Sequence, residues 1–199
     1  LGVNINDINN DGFPDIYVSN DFHEDDYLYI NNGDGTFTNR LKEFIQHTTR
    51  SSMGNDVGDF NNDGLLDIIV LDMLPEEQKI RKQSGGEDDY ELYQIKLELG
   101  FGYQFVRNNL QLNLGEGLFS EIGRLSGIYA TDWSWSPLFC DVNNDGLKDL
   151  FITNGIYRRA NDLDYVKFLT KNDFFSAEYN KDTPDRVLYE KMPLDPNYN

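Results

Sequence analysis

Asp7-Ile8-Asn9-Asn10-Asp11-Gly12-Phe13-Pro14-Asp15 is the stretch from which the rest of the chain is read. It returns as Asp59-Phe60-Asn61-Asn62-Asp63-Gly64-Leu65-Leu66-Asp67 and as Asp141-Val142-Asn143-Asn144-Asp145-Gly146-Leu147-Lys148-Asp149. Each copy has an oxygen-bearing side chain at loop positions 1, 3, 5 and 9, and glycine at position 6. Hard cations such as Ca²⁺ take roughly six to eight oxygens from carboxylates, amides and backbone carbonyls, and a glycine permits the sharp turn that gathers them. Position 7 is Phe13, Leu65 or Leu147, as expected where only the backbone carbonyl coordinates. The expected ligand sets are Asp7, Asn9, Asp11, Asp15 and the Phe13 carbonyl; Asp59, Asn61, Asp63, Asp67 and the Leu65 carbonyl; and Asp141, Asn143, Asp145, Asp149 and the Leu147 carbonyl. One Ca²⁺ per loop gives about three in the chain.

An EF-hand is excluded. It needs a bidentate Glu at position 12 and a helix on each side, whereas position 12 here is Val18, Val70 or Ile152. Those residues lie in the apolar runs Ile16-Tyr17-Val18, Ile68-Ile69-Val70-Leu71 and Leu150-Phe151-Ile152-Thr153. Short runs rich in β-branched and aromatic residues read as buried strands. Each loop therefore feeds a strand directly from its last ligand.

A second element recurs between the loops. Tyr27-Leu28-Tyr29-Ile30-Asn31-Asn32-Gly33-Asp34-Gly35-Thr36-Phe37 aligns with Asn109-Leu110-Gln111-Leu112-Asn113-Leu114-Gly115-Glu116-Gly117-Leu118-Phe119, and both read as strand, tight turn, strand. Gly33 and Gly115 each precede the next loop, at Asp59 and Asp141, by 26 residues; Asp7 precedes Gly33 by the same interval, but Asp59 precedes Gly115 by 56. The unit of about 52 residues is strand, cation loop, strand, connection, strand, tight turn, strand, and the second copy carries a 30-residue insertion. Four antiparallel strands per repeat make one propeller blade. The expected fold is all-β: about three blades over residues 1–52, 53–134 and 135–199, part of a larger propeller.

The insertion spans Pro75 to about Arg107. A Ser84–Glu87 capping box, acids at Asp88 and Asp89, and a stop at Gly100 predict a helix, with Tyr90, Tyr93 and Leu97 inward and Leu92, Ile95 and Leu99 close by. A second helical segment is expected at about 160–180, capped by Asn161-Asp162 and carrying Leu163, Val166 and Leu169. After it no strand-turn-strand element follows, so the sequence reads as a piece of a longer parent chain.

The chain has 35 acidic against 17 basic residues, a formal net charge of −18, which argues against nucleic acid or an anionic membrane as partner. The loops hold nine of the Asp residues, so three Ca²⁺ would bring −18 to −12. Aromatics at 14% are too plentiful for a disordered acidic chain. The single cysteine, Cys140, excludes an intrachain disulfide and reads as a small buried hydrophobe. No run approaches transmembrane length, so direct membrane insertion is not expected.

The DxNxDGxxD loops running into short apolar strands, with the Asn-Gly-Asp-Gly-Thr-Phe turn at 32–37, resemble FG-GAP/VCBS repeats, the loop type of integrin-α propellers. Thr131-Asp132-Trp133-Ser134-Trp135-Ser136-Pro137-Leu138-Phe139 and Leu150-Phe151-Ile152-Thr153-Asn154-Gly155 resemble ASPIC/UnbV-type bacterial VCBS-repeat proteins. The resemblance covers residues 1 to about 156 and implies a secreted or surface-attached, calcium-loaded β-propeller with a role in adhesion or ligand binding. Extracellular Ca²⁺ modules commonly have affinities of about 10⁻⁴–10⁻³ M. Export to the outer surface or the periplasm is therefore expected.

An enzyme is not expected. His23 and His47 are the only histidines and neither sits in a triad or metal motif. The partner expected is a protein or glycan at the cell surface, met by aromatics among Tyr90, Tyr93, Phe101, Tyr103, Tyr157 and Tyr165 on the face opposite the cation loops. The alternative is a non-catalytic propeller within a polysaccharide-degrading or other secreted enzyme.

Overall fold

The computed structural model describes residues 2–22, 24–85, 88–171 and 190–194. The chain divides into two compact units, Leu1–Leu74 with Asp88–Asn154, and Pro75–Glu87 with Gly155–Asn199. The boundary cuts through the 75–107 insertion, whose two parts belong to different units.

The first unit opens with β1 (Gly2–Asn6), β2 (Asp15–Ser19), β3 (Tyr27–Asn31) and β4 (Phe37–Asn39), an antiparallel sheet in chain order. The first acidic loop joins β1 to β2, and Asn6 pairs with Asp15 across its mouth. Along β2, Asp15, Tyr17 and Ser19 are buried while Ile16 and Val18 are half-buried, the period-2 alternation of a pleated strand. Between β3 and β4 the amide of Asn32 donates to the Thr36 carbonyl over 3.0 Å. Gly33 and Gly35 stand there at φ 74° and 89°, a region that a side chain disfavours.

After α1 (Leu41–Phe44) and β5 (His47–Thr49) the pattern repeats. β6 (Asn55–Gly58) and β7 (Asp67–Val70) flank the second loop. Then come α2 (Gln78–Gln83), which belongs to the other unit, α3 (Tyr90–Glu98) and β8 (Tyr103–Phe105), the last parallel to β5. β9 (Asn109–Asn113) and β10 (Phe119–Glu121) complete an antiparallel sheet of order β10-β9-β7-β6. The third loop joins β11 (Ser134–Cys140) to β12 (Asp149–Asn154) in a two-stranded hairpin. The architecture is mostly β, with antiparallel sheets. Two of the three expected repeats have four strands and the third has two among the described residues.

The core lies between successive sheets. Ile8, Tyr17, Leu28 and Ile30 of the first repeat, with Leu41 and Ile45, meet Ile68, Val70 and Phe119 of the second. On the other side of the second sheet Ile69, Leu71 and Leu110 meet Phe60, Phe139, Leu150 and Ile152. β7 is therefore apolar throughout because both of its faces are covered, each large side chain contributing about 1.5–3 kcal/mol. The third apolar run departs from the expected burial: Phe151 is 57% exposed and Leu150 and Ile152 only half-buried, since only one face of β12 meets a sheet. Cys140 is likewise half-buried rather than buried.

The insertion helix starts later than expected. Asp89 is its N-cap, accepting from the Leu92 amide, while Ser84 ends α2. Tyr93 and Leu97 are half-buried, but Tyr90 is 76% exposed, and Leu92, Ile95 and Leu99 also face solvent. The buried position is Lys96, whose Nζ reaches Asp88 Oδ2 at 2.6 Å while Arg50 Nη2 takes Asp88 Oδ1 at 2.6 Å. The helix is pinned by this charge cluster rather than by an apolar stripe. Gly100, at φ 90°, stops it as expected.

In the second unit α4 spans Leu163–Lys171, and Asp162 Oδ1 caps it by accepting from the amides of Asp164 and Tyr165 at 3.0 Å each. Its inward residue is Tyr165, with Leu163 and Val166 exposed, contrary to the expected stripe. Residues 172–180 of the expected segment lie outside the described residues. Ser84 bridges to Asp162, and the Gly85 amide donates to Asn161. Among the described residues no helix is long and apolar enough to cross a membrane.

Candidate metal centres

The three acidic loops fold alike. Asn10, Asn62 and Asn144 at position 4 take φ of 58°, 59° and 60°, and Gly12, Gly64 and Gly146 take 92°, 86° and 87°. Two left-handed residues so close together are tolerable because one is Asn and the other Gly. The acids hold the turn through their own oxygens. Asp7 accepts from the amides of Asp11 (3.0 Å) and Gly12 (2.8 Å), and Asp11 from that of Phe13 (2.9 Å). Asp59 does the same for Asp63 (3.1 Å) and Gly64 (2.9 Å), and Asp141 for Asp145 (3.1 Å) and Gly146 (2.8 Å). At position 3, Asn9, Asn61 and Asn143 donate to the carboxylates of Asp11, Asp63 and Asp145 at 2.8, 2.8 and 2.9 Å. Phe13 is 45% and Leu147 58% exposed, while Leu65 is half-buried.

The acid at position 9 points inward. Asp15 and Asp67 are fully buried and Asp149 is half-buried. One oxygen of each accepts the position-2 amide, from Ile8 (2.9 Å), Phe60 (3.2 Å) or Val142 (3.0 Å). The other oxygen of Asp15 accepts from Asn31, and that of Asp67 from Asn113, both at 2.8 Å. These two asparagines, overlooked when the ligands were read from sequence, also accept the amides of Gly33 and Gly115 at 3.0 and 2.9 Å and so brace loop to tight turn. Their signal was present: both stand two residues before the glycine of the aligned turn.

Burial raises the Asp15 carboxyl above its ordinary range, with the nearby Asp11 charge adding to it. Burial likewise pushes Asp67 up to about 6, against the amides of Asn113 and Phe60, and the charges of Asp63 and Asp59 contribute. Among the ion pairs of the described residues, none engages a loop carboxylate. An all-oxygen set with uncompensated negative charge fits a hard cation in donor type. In spacing the loops are drawn up on their own amides: among the described residues no three His, Cys, Asp or Glu side chains stand together at metal-holding distance.

The loops also join one another. Asn10 Nδ2 donates to the Gly64 carbonyl at 3.1 Å, and Asn62 Nδ2 to the Gly146 carbonyl at 2.9 Å. Position 4 of each loop thus meets position 6 of the next, which lines the loops in a row at one end of the strands. The part of the insertion that belongs to this unit, from Asp88 onward, lies at the other end. The β2–β3 connection begins where β2 ends, and both oxygens of its Asp25 accept the Gly102 amide, at 3.0 and 2.9 Å. Beside it Leu41, Ile45, Leu97, Phe101 and Tyr103 line a cavity of about 330 Å³. Tyr103 is 54% exposed.

His47 also lines this cavity and stands apart from the acidic loops. Its Nε2 stands 2.9 Å from Arg107 Nη2 and 3.5 Å from Glu121 Oε2, with Phe105 edge-on to the ring. His23 lies outside the described residues. In the second unit Tyr157 is 53% exposed, but Tyr165 is buried and is not an exposed aromatic as expected.

A comparison with curated proteins finds no match. Residues 7–70, from the first acid of the first loop to the end of β7, match the family described as the FG-GAP-like repeat, so this stretch of the chain carries an FG-GAP-like repeat.

Proposed function

We propose that the chain is a segment of a calcium-stiffened β-propeller that binds a protein or glycan ligand outside the cell, without catalysing a reaction. The observation that carries this reading is the separation of the two ends: the acidic loops form a row at one end of the strands, and the 88–107 part of the insertion, with its cavity and exposed Tyr103, sits at the other. Each loop would hold one Ca²⁺ with its carboxylates at positions 1, 5 and 9, the amide oxygen at 3 and the carbonyl at 7. The ion would supply charge compensation and stiffness. Because Asp15 and Asp67 also grip Asn31 and Asn113, a stiffened loop would carry its order into the third strand of its repeat. Weak, oxygen-rich sites suit the Ca²⁺ levels found outside the cell, so an outer-surface or periplasmic location is part of the proposal.

The ligand face would then be the insertion end, where Tyr90, Tyr103 and the Leu41–Phe101 cavity offer stacking and apolar contact. A glycan array run with millimolar Ca²⁺ tests it. Binding that Tyr103→Ala and Tyr90→Ala abolish, with thermal melting unchanged, supports this face. Polysaccharide turnover by the intact parent protein, lost on changes within these sheets, would overturn the non-enzymatic reading.

A further inference from the structure

The cavity at the insertion end is walled by two stretches of chain. Leu41, Ile45 and Thr48 come from α1 and β5, and Leu97, Phe101 and Tyr103 from α3 to β8. All of its lining residues belong to the first unit, so no repeat before or after this segment is needed to build it. Its volume of about 330 Å³ is at the small end for ligand pockets, room for one side chain or one sugar ring.

The walls discriminate between these two occupants. Leu41 and Ile45 are each 4% exposed, and a sugar pressed on them and on Leu97 would lose water from its hydroxyls without replacement. Most polar groups at the cavity are already engaged. Asp25 accepts from the Gly102 amide, from Gln104 Nε2 and from Lys42, and Lys42 also donates to the Gly100 carbonyl. Arg107, which can only donate, occupies Nε2 of His47. One buried group is unmet: Thr48 is 5% exposed, and its hydroxyl has no hydrogen-bond partner among the described residues. A single polar atom brought by the ligand relieves that cost. An apolar body with one hydroxyl at its tip is a phenol.

A neighbouring cleft selects what stands beside the phenol. It shares Asp25, Leu41, Lys42 and Phe101 with the cavity and adds Glu24 and Glu43. Lys42 offsets Asp25 and Arg40 pairs with Glu43. Glu24 accepts from the Tyr27 hydroxyl but meets no basic side chain among the described residues. A net charge of −18 repels an acidic partner and draws a basic one. Two clefts that share a wall suit nearby side chains of one extended segment, whose residues are about 3.4 Å apart.

We propose that the cavity takes a tyrosine side chain of a protein partner, with a lysine or arginine one or two residues away pairing with Glu24. The inference rests on the insertion end being the ligand face, and it narrows the ligand there from protein or glycan to a basic, tyrosine-bearing segment.

The test uses the whole chain in millimolar Ca²⁺ and short labelled peptides, read by fluorescence anisotropy. The peptides carry a central tyrosine, phenylalanine or alanine, flanked by lysines, serines or glutamates. Tyrosine between lysines binds tightest. Alanine at the centre weakens binding at least about 30-fold, as for an interface anchor, and phenylalanine about fivefold, as for one hydrogen bond. Glu24→Gln keeps an acceptor for Tyr27 yet weakens the lysine-flanked peptide about threefold, leaving the serine-flanked one unchanged. Thr48→Val keeps the shape, removes the unmet hydroxyl and erases the preference for tyrosine over phenylalanine, which a merely structural Thr48 would not do. Equal binding of the three centres, a preference that survives Thr48→Val, or glutamate-flanked peptides bound as well as lysine-flanked ones would each overturn the proposal. Absence of peptide binding overturns it too, and the glycan array then decides the wider reading. Glycan binding lost in Tyr103→Ala keeps the insertion end as the ligand face, and no glycan binding removes that face as well.

Discussion

Tyr17 and Asp26 are both 1% exposed, and the Tyr17 hydroxyl donates to Asp26 Oδ2 over 2.7 Å. The other oxygen of Asp26 accepts the Asn20 amide at 2.8 Å, which closes the β2–β3 connection onto the strand it leaves. Burial pushes the Asp26 carboxyl up to about 6, while the Asn20 amide and the hydroxyls of Tyr17 and Ser52 hold it down. Tyr17→Phe keeps the ring in the core and removes one donor from a buried carboxylate. The expected loss is about 1–3 kcal/mol. Because the hydroxyl matters most to the ionised acid, denaturant melts should show a larger penalty at pH 8 than at pH 5.

Asp72 is a second carboxylate of the same kind. It accepts the amides of Arg50 (3.0 Å), Ser51 (3.1 Å) and Met73 (2.6 Å), yet burial still raises it to about 6. A carboxyl raised from 3.8 in the unfolded chain favours the fold below 3.8, and that contribution is lost as pH rises through about 6. In EGTA the protein should therefore melt higher at pH 5 than at pH 7.5, each of the two acids contributing on the order of 1 kcal/mol over that interval. Asp26→Asn and Asp72→Asn should each flatten that slope, and the double variant should flatten it further. Unchanged melting between the two pH values would count against both assignments.

Calcium should act in the opposite sense to acid. At a Ca²⁺ concentration ten times the dissociation constant, each occupied loop adds about 1.4 kcal/mol. Thermal midpoints should fall on adding EGTA at pH 7.5. Asp63→Asn keeps the oxygen that accepts the Leu65 amide but removes a charge from the second loop. Calorimetric titration of that variant should count two ions where the wild type counts three. No drop in midpoint on chelation would sink the calcium reading.

What was legible in the sequence was local or periodic. The loop conformation is written in Asn10 and Gly12, whose left-handed φ angles only a few residue types tolerate, and the period came from repeating it. The meander of the first repeat followed, as did the placement of the 88–107 part of the insertion at the end away from the loops. The start of α3 did not. Ser84 and Asp89 both satisfy the rule for a cap, and the choice rests on Asp88 meeting Arg50 and Lys96, residues 38 and 8 positions away. A buried lysine is invisible to an apolar pattern. Phe151 looked as buried as Tyr17 and Ile69 because a strand's composition does not say whether a sheet stands on its outer face. The carboxylate geometry was equally out of reach, since spacing shows which acids share a loop but not that amides occupy them.

The last expectation concerns the junction between the second sheet and the hairpin. A Cβ on Gly54 would stand 2.4 Å from the Trp135 carbonyl oxygen and 2.9 Å from Ser136 Cα. Both are backbone atoms of β11, so the clash cannot be relieved by turning a side chain. The Gly54 carbonyl also accepts the Leu71 amide at 3.0 Å, which ties it to the end of β7 and limits its retreat. Gly54→Ala should cost about 1–3 kcal/mol through overpacking. It should also speed amide hydrogen exchange over 134–140, because the hairpin is the element with room to move. Gly127→Ala is the control: its φ of 75° is costly for a side chain, but nothing lies within 4 Å of the added carbon. That variant should lose about 1–2 kcal/mol to backbone strain and leave exchange in β11 as it is in the wild type. Equal exchange in the two variants would count against the close approach of β11 as the reason for a glycine at 54, where φ is not positive.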